Sequence, residues 1–215
     1  SSRFPGKVLS LFLGKPMLQY QIELLKKYGF DNNIIVATST LPIDNAIENL
    51  CNELGVDLYR GSEKNVYSRF KAIAQNKKHQ TIIRLTADNP LPNFKLINDA
   101  LESHFKSKSK FTSSRIIKNE KIIKRTLPKG YSVDVFDSSV FSLVDEDSLS
   151  SYDLEHVIPP FYKIEKVNLF HSHITHTLTP TTIDIKEDLI RVENHVRNLK
   201  KLGELHSLIG WKESL

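Results

Sequence analysis

Apolar runs rich in β-branched residues alternate, through the first half of the chain, with longer segments whose apolar residues recur every three or four positions. Few folds accommodate that alternation. Residues 34–38, 56–59 and 81–85 read as buried strands, and residues 17–28, 43–54, 66–74 and 94–105 as helices of crossover length. Strands joined by such crossovers run parallel, and a parallel sheet needs helices on both faces. The expected fold is therefore α/β, a three-layer αβα sandwich with a mostly parallel sheet. In such sheets a ligand sits beyond the carboxyl ends of the strands, and that rule selects the residues to examine.

Beyond Lys110 the rhythm is mixed. A hairpin with its tip at Asn119-Glu120 is expected first, then a strand over 131–136, a short helix over 139–144 and another over 154–162. Extended segments over 164–169 and 173–179, a closing helix over 186–201 and a last turn over 205–211 complete the reading. The 215 residues contain no Gly/Ser-rich or Pro-rich linker, so one domain over 1–215 is expected, with the hairpin as an excursion at about 110–130. An apolar fraction of 40% can bury a core, which excludes wholesale disorder. Neither a transmembrane run nor the apolar core of a signal peptide is present, so membrane spanning and secretion are disfavoured. The one cysteine, Cys51, rules out a disulfide framework and a thiolate metal cage, and a cytoplasmic location is the simplest expectation. The net charge of +5 is partly concentrated at Arg115, Lys118, Lys121, Lys124 and Arg125, but no aromatic residues interleave there. That cluster reads as a solvated hairpin, and no nucleic-acid partner is expected.

Three pieces fall where strands should end. The opening Ser1-Ser2-Arg3-Phe4-Pro5-Gly6-Lys7, followed by Gly14-Lys15-Pro16 before a helix, supplies hydroxyls, glycines and three cations able to cradle a polyphosphate. It is not a Walker A loop, and it also reads as a polar surface loop. The second piece, Arg84-Leu85-Thr86-Ala87-Asp88-Asn89-Pro90-Leu91, ends an apolar strand on an aspartate. A carboxylate there suits magnesium, which keeps several waters and takes phosphate oxygens as its remaining ligands; Asp88 equally suits an Asx turn. The third, Thr182-Ile183-Asp184-Ile185, reads as a short strand carrying Asp184 before the acids Glu187 and Asp188 of a helix start. Asp184 becomes the second magnesium ligand if its strand lies beside that of Asp88. The run His171, His173 and His176 lacks a nearby carboxylate or cysteine and reads as surface or interface histidines rather than a zinc site.

Taken in order with Ile35-Val36-Ala37-Thr38-Ser39-Thr40 and Asp44, Tyr59-Arg60-Gly61-Ser62-Glu63 and Glu155-His156-Val157, these pieces resemble the cytidylyltransferase family. The likeness is to its spore coat polysaccharide biosynthesis branch, related to CMP-KDO and CMP-sialic acid synthetases. The resemblance implies a GT-A-like nucleotidyltransferase fold, CTP as cosubstrate, Mg²⁺ as cofactor, a homodimer, and transfer of CMP to a sugar acid. By position it implies Arg3, Lys7 and Lys15 as phosphate-binding and catalytic cations, and Asp88 and Asp184 as the metal pair. It places Ala37, Thr38, Arg60, Ser62 and Arg69 around the nucleotide, and Glu155 and His156 at acceptor-sugar or dimer contacts. Relatives start with an apolar strand before the Ser-x-Arg loop, so the first strand is expected to be missing before Ser1. Asn65 and Thr179-Pro180-Thr181 also depart from the pattern. Two alternatives stay open: a GT-A glycosyltransferase using a nucleotide sugar, and a catalytically silent nucleotide-binding relative.

Overall fold

The computed structural model describes residues 4–76, 80–118, 122–125, 127–172 and 179–210, with side chains for all of these except 116–118 and 122–125. A short hairpin of β1 (Leu11–Phe12) and β2 (Lys15–Pro16) leads into α1 (Met17–Leu25). Strand β3 (Ile35–Ser39), helix α2 (Asn45–Leu54) and strand β4 (Asp57–Gly61) form a βαβ unit in which β3 and β4 pair in parallel, Ile35 opposite Asp57 through Ser39 opposite Gly61. Helix α3 (Val66–Gln75) follows, capped by the Asn65 side chain, which accepts from the Ser68 N–H. Strand β5 (Thr81–Arg84) then leads to α4 (Phe94–Ser107), capped by Asn93, which accepts from the Leu96 N–H. Both caps satisfy a backbone donor that the helix cannot, and so fix where each helix begins.

The second half is mixed, as its rhythm predicts. Strand β6 (Phe111–Ser113) is followed by the hairpin of β7 (Arg115–Lys118) and β8 (Ile122–Arg125), then by β9 (Asp134–Asp137), α5 (Ser151–His156), β10 (Val167–Leu169), α6 (Lys186–Lys201) and α7 (Leu205–Ile209). The four-stranded sheet has the order β10-β6-β9-β5, with β10 parallel to β6 and β9 antiparallel to both its neighbours. Parallel pairing therefore describes β3–β4 and β6–β10, while β9 makes this sheet mixed. Along β9 the pleat sends Val135 into one core, with Leu96, Ile97 and Ala100 of α4 and Val192 and Val196 of α6. It sends Phe136 into another, with Tyr67 of α3 and Phe161. Helices thus cover both faces, which is the three-layer arrangement. A third cluster joins Leu18 and Ile22 of α1 to Ile47, Leu50 and Cys51 of α2 over β3 and β4, with Ala87 packed against it.

The short helix expected over 139–144 is a 3₁₀ helix over Ser138–Leu143, the strand expected over 131–136 runs Asp134–Asp137, and the helix expected over 17–28 ends as α-helix at Leu25, before the positive φ of Gly29. Two further elements differ more. The helix expected over 154–162 breaks at Val157, whose φ is +69°, and resumes as a 3₁₀ turn from Pro159 to Lys163, because Pro159 and Pro160 cannot continue an α-helix. The strand expected around Thr182 to Ile185 is an extended segment that joins no ladder among the described residues; its Ile183 N–H donates to the Asp88 carbonyl at 2.8 Å. The expected extended segment over 173–179 lies, but for Thr179, outside the described residues, as do Arg3, His173, His176, Lys121 and the hairpin tip. Among the described residues no helix is long and apolar enough to cross a membrane.

Candidate active site

The segments carrying Asp88 and Asp184 meet. Beyond β5 the chain turns at Thr86–Asn89, where the Asn89 N–H donates to the Thr86 carbonyl. The buried Gln21 of α1 holds this turn from beneath: its Nε2 donates to the Thr86 carbonyl (3.1 Å) and the Asn89 carbonyl (2.7 Å). The Ile183–Asp88 hydrogen bond then sets Asp184 alongside. Lys7, on the 3₁₀ turn after Gly6, places its ammonium between the two acids, 3.5 Å from Asp88 Oδ2 and 3.3 Å from Asp184 Oδ1, and donates to the Ile183 carbonyl at 2.9 Å. On the other side, Lys129 Nζ lies 3.7 Å from Asp184 Oδ2. Asp188 accepts from the N–H groups of Asp184 and Ile185, which ties Asp184 to the start of α6. Burial raises the Asp188 pKa, but its bonds from Arg191 and from those two N–H groups outweigh this and hold it below the ordinary value.

A third loop wedges the pair in place. The Gly130 carbonyl accepts from Asn89 Nδ2 at 2.5 Å, and the Lys129 carbonyl accepts from the Thr181 N–H at 3.0 Å. Gly130 has φ +103°, and a Cβ there would lie 2.1 Å from Thr181 Oγ1 and 3.2 Å from Asn89 Oδ1. Only glycine fits both the backbone angle and the space.

The five residues expected around the nucleotide form one patch at the carboxyl ends of β3 and β4. Thr38 Oγ1, Ser39 Oγ and the Ser39 N–H all donate to Asp44 Oδ2, at 2.8, 2.5 and 3.1 Å. Arg60 donates to the Ser39 and Leu41 carbonyls and pairs with Glu48. Arg69, reaching back from α3, donates to the carbonyls of Ser62 (2.7 Å), Glu63 (3.0 Å) and Ala37 (3.5 Å). Desolvation lowers its pKa, with Asp44 and Glu63 acting against that. Both guanidinium groups thus brace strand-end carbonyls, which fixes the rim of the patch.

Other expected residues stand apart. Lys15 pairs with Glu23 on an exposed face of α1 and makes no ion pair with Asp88 or Asp184 among the described residues. Glu155 and His156 are exposed on α5, where the His156 ring lies 4.1 Å from that of Tyr152. The Cys51 thiol is buried, and burial together with Glu48 pushes it up to about 11, which removes it from nucleophilic chemistry. Among the described residues no three His, Cys, Asp or Glu side chains gather as a metal cluster. Sequence reasoning missed Lys129 and Gly130 and the roles of Gln21 and Asn89, the latter quoted only as part of the Asp88 motif. A Gly following Pro-Lys was the visible signal for the wedge, since it marks a turn needing positive φ.

The lysine-bridged carboxylate pair beyond β5 and the strand-end patch of the separate β3–β4 pair are thus carried on a three-layer α/β fold. A solved cytidylyltransferase from Leptospira borgpetersenii shares that fold, with a TM-score of 0.75 at 22% identity over 94% of this chain and 91% of that one. The sequence profile of the cytidylyltransferase family matches residues 1–206, and the chain belongs to that family. It is 35% identical over 170 residues to an uncharacterized protein of Methanocaldococcus jannaschii, covering 79% of this chain and 65% of that protein. It is 33% identical over 116 residues to the spore coat polysaccharide biosynthesis protein SpsF of Bacillus subtilis, covering 52% and 48%. It is 26% identical over 219 residues to a 3-deoxy-manno-octulosonate cytidylyltransferase of Fusobacterium nucleatum, covering 98% and 86%. The chain thus spans about half to two thirds of the length of the first two relatives.

Proposed function

We propose that this protein is a CTP-dependent cytidylyltransferase that transfers CMP to an acidic sugar of the nonulosonic-acid type, releasing pyrophosphate, in the cytoplasmic synthesis of a surface polysaccharide or glycan. The observation that carries the reading is the Lys7 ammonium held by Asp88, Asp184 and the Ile183 carbonyl. An all-oxygen donor set that already surrounds a cation suits magnesium, a hard ion, so Asp88 and Asp184 would hold it. When bound, the ion supplies neutralisation of the phosphate charge. Lys7, exchanged off the carboxylates, pairs with the triphosphate, and Arg3 and Lys15 belong to the same cationic loop. The β3–β4 patch takes the base and ribose, with Ala37, Thr38 and Ser62 at its rim and Arg60 and Arg69 bracing it.

The acceptor hydroxyl oxygen forms a bond to the α-phosphorus, the bond from that phosphorus to the bridging oxygen breaks, pyrophosphate leaves, and the hydroxyl proton passes to solvent. No protein nucleophile is needed; the residues position and neutralise, the terms that dominate such transfers. The family match favours this over a glycosyltransferase. The homodimer, with Glu155 and His156 at acceptor or dimer contacts, rests on the family resemblance and is checked by light scattering.

The test is pyrophosphate release with CTP, Mg²⁺ and a panel of nonulosonic acids. Release requiring all three supports the reading. Metal-dependent CTP binding without release for any acid would retire the acceptor, and absence of metal-dependent CTP binding in calorimetry would make the chain a silent relative.

A further inference from the structure

The opening segment meets the acid pair through Lys7 and is fastened a second time farther along the chain. After the 3₁₀ turn over Lys7–Leu9, β1 and β2 pair as a hairpin, Leu11 opposite Pro16 and Phe12 opposite Lys15, and the Met17 N–H closes its base on the Ser10 carbonyl at 2.9 Å. Phe12 is fully buried and meets the Tyr20 ring of α1 edge-to-face, with centroids 5.0 Å apart. The two tip residues, Leu13 and Gly14, both have positive φ, +52° and +86°. Asn-Gly is the usual occupant of such a two-residue tip, because a leucine at positive φ is strained. The strain persists only where the surroundings hold it.

Helix α6 does the holding. The Leu13 side chain packs against the core that contains Val192 and Val196, and the Leu13 N–H donates to Glu193 Oε1 at 2.5 Å. The other oxygen of that carboxylate, Oε2, lies 3.9 Å from Arg197 Nη2 one turn on. At its start the same helix is tied to Asp184 through Asp188, five residues or about 7.5 Å of helix before Glu193. Glu193 therefore links the cationic opening segment to the helix that steadies one of the two acids.

The two fastenings differ in what substrate does to them. Lys7 is bonded to Asp184 and the Ile183 carbonyl, and in the function proposed above its ammonium leaves them for the triphosphate. Glu193 holds a backbone N–H that no substrate has to displace. With the ammonium exchanged, the hairpin still ends on α6, so Lys7 swings on a short anchored segment and less freedom is lost when it pairs with phosphate. We infer that Glu193 is a positioning residue for the triphosphate: by clipping the Leu13-Gly14 tip to α6 it keeps Lys7 within reach of the phosphates beside Asp184. The inference rests on the cytidylyltransferase reading and deepens it.

The test is the calorimetric affinity for CTP and for CMP, each with Mg²⁺, in wild type, Glu193→Ala and Glu193→Gln. CMP carries the base, the ribose and one phosphate but not the two outer phosphates, so wild-type protein should bind CTP more tightly. Glu193→Ala should weaken CTP binding about tenfold, the scale of one hydrogen bond to a charged group, and leave CMP binding nearly unchanged. Glu193→Gln keeps an oxygen for the Leu13 N–H and should recover most of the CTP affinity. In a Lys7→Met background Glu193→Ala should alter CTP affinity by less than about twofold, because the two residues act through one contact. An undiminished preference for CTP over CMP in Glu193→Ala, equal losses for both nucleotides, or a loss that adds in full to that of Lys7→Met would make the clip purely structural, and the inference would fall while the function stands. Wild-type protein that binds CTP no better than CMP would remove the triphosphate contact of Lys7 itself, and both the nucleotide reading and the inference with it.

Discussion

The strand-end patch of β3 and β4 and the carboxylate pair beyond β5 are built in opposite ways. In the patch, Asp44 bonds to residues five and six positions away, and Arg69 reaches residues six, seven and thirty-two positions away. Its polar groups satisfy one another within a single βαβ unit and the helix after it. The carboxylate pair is assembled from segments 81, 176 and 177 positions apart, joined by Lys7 and by single backbone bonds, and stabilised by Gln21, Asn89 and Gly130. A locally closed patch offers a preformed surface, whereas the acid pair has its geometry only when the whole chain is folded. Nucleotide recognition and metal chemistry should therefore respond differently to substitution.

The largest effect should come from Asp88→Asn. That change removes one charge from the acid pair, keeps its shape, and leaves the β3–β4 patch untouched. Magnesium-dependent pyrophosphate release should fall on the order of 10²–10³-fold, the scale of losing one electrostatic stabiliser, with the thermal transition near that of wild type. Near-wild-type release would remove Asp88 from the chemistry and the contrast with it.

Two glycines sharpen the same contrast. Gly130→Ala combines positive-φ strain with overlap on Thr181 Oγ1, and should cost about 2–5 kcal/mol. The melting temperature should drop by roughly 5–15 °C for a chain of this size. Adding Thr181→Ala should recover part of that, since the 2.1 Å overlap is with its hydroxyl. In the patch, Gly61→Ala meets side-chain atoms nearest, Arg69 Cγ at 3.0 Å and Tyr59 Cε1 at 3.1 Å, and side chains can shift, so calorimetry should show a much smaller drop. Equal losses at the two glycines would mean that the patch is as globally dependent as the acid pair.

These differences also govern what could be read from the sequence. The helices α1, α3 and α4 are legible because an apolar face recurs every three or four residues, and α6 begins at Lys186 and ends at Lys201 as its pattern predicts. The β3–β4 patch is legible because its parts are close in sequence. Asp88 and Asp184 can be proposed from their neighbours, but their adjacency depends on long-range contacts, the hydrogen bond between residues 88 and 183 and the bridge of Lys7, which no local pattern encodes. Arg84 and Asp134 face each other only through the register of β5 against β9, which depends on long-range pairing. In sequence the Glu155-His156-Val157 motif stands out for its polar pair. Its visible consequence lies in Val157, fully buried at positive φ, which turns the chain so that Tyr162 reaches Ser113.

A smaller change should follow from Lys7→Met. In the folded protein the Lys7 ammonium competes with any divalent cation for Asp88 and Asp184. Removing it should tighten Mn²⁺ binding several-fold without nucleotide, read by paramagnetic relaxation, while weakening CTP binding. Unchanged metal affinity would mean that the lysine does not hold the ion's place.

The smallest effect belongs to the patch and concerns pH. Burial pushes the Asp44 carboxyl up, but the hydrogen bonds from Ser39 and Thr38 and the charge of Arg69 outweigh it, so its pKa lies below the ordinary 3.8. A carboxyl whose folded value is below its unfolded value contributes stability above the unfolded value, and loses it as pH falls through the folded one. Asp44→Asn should therefore lower stability at neutral pH and flatten the acid limb, so that urea unfolding of the two proteins converges as pH drops beneath the carboxylate range. A gap between wild type and Asp44→Asn that stays constant from neutral pH into acid would show that the three donors hold Asp44 no better folded than unfolded, and the locally closed patch would lose its defining bond.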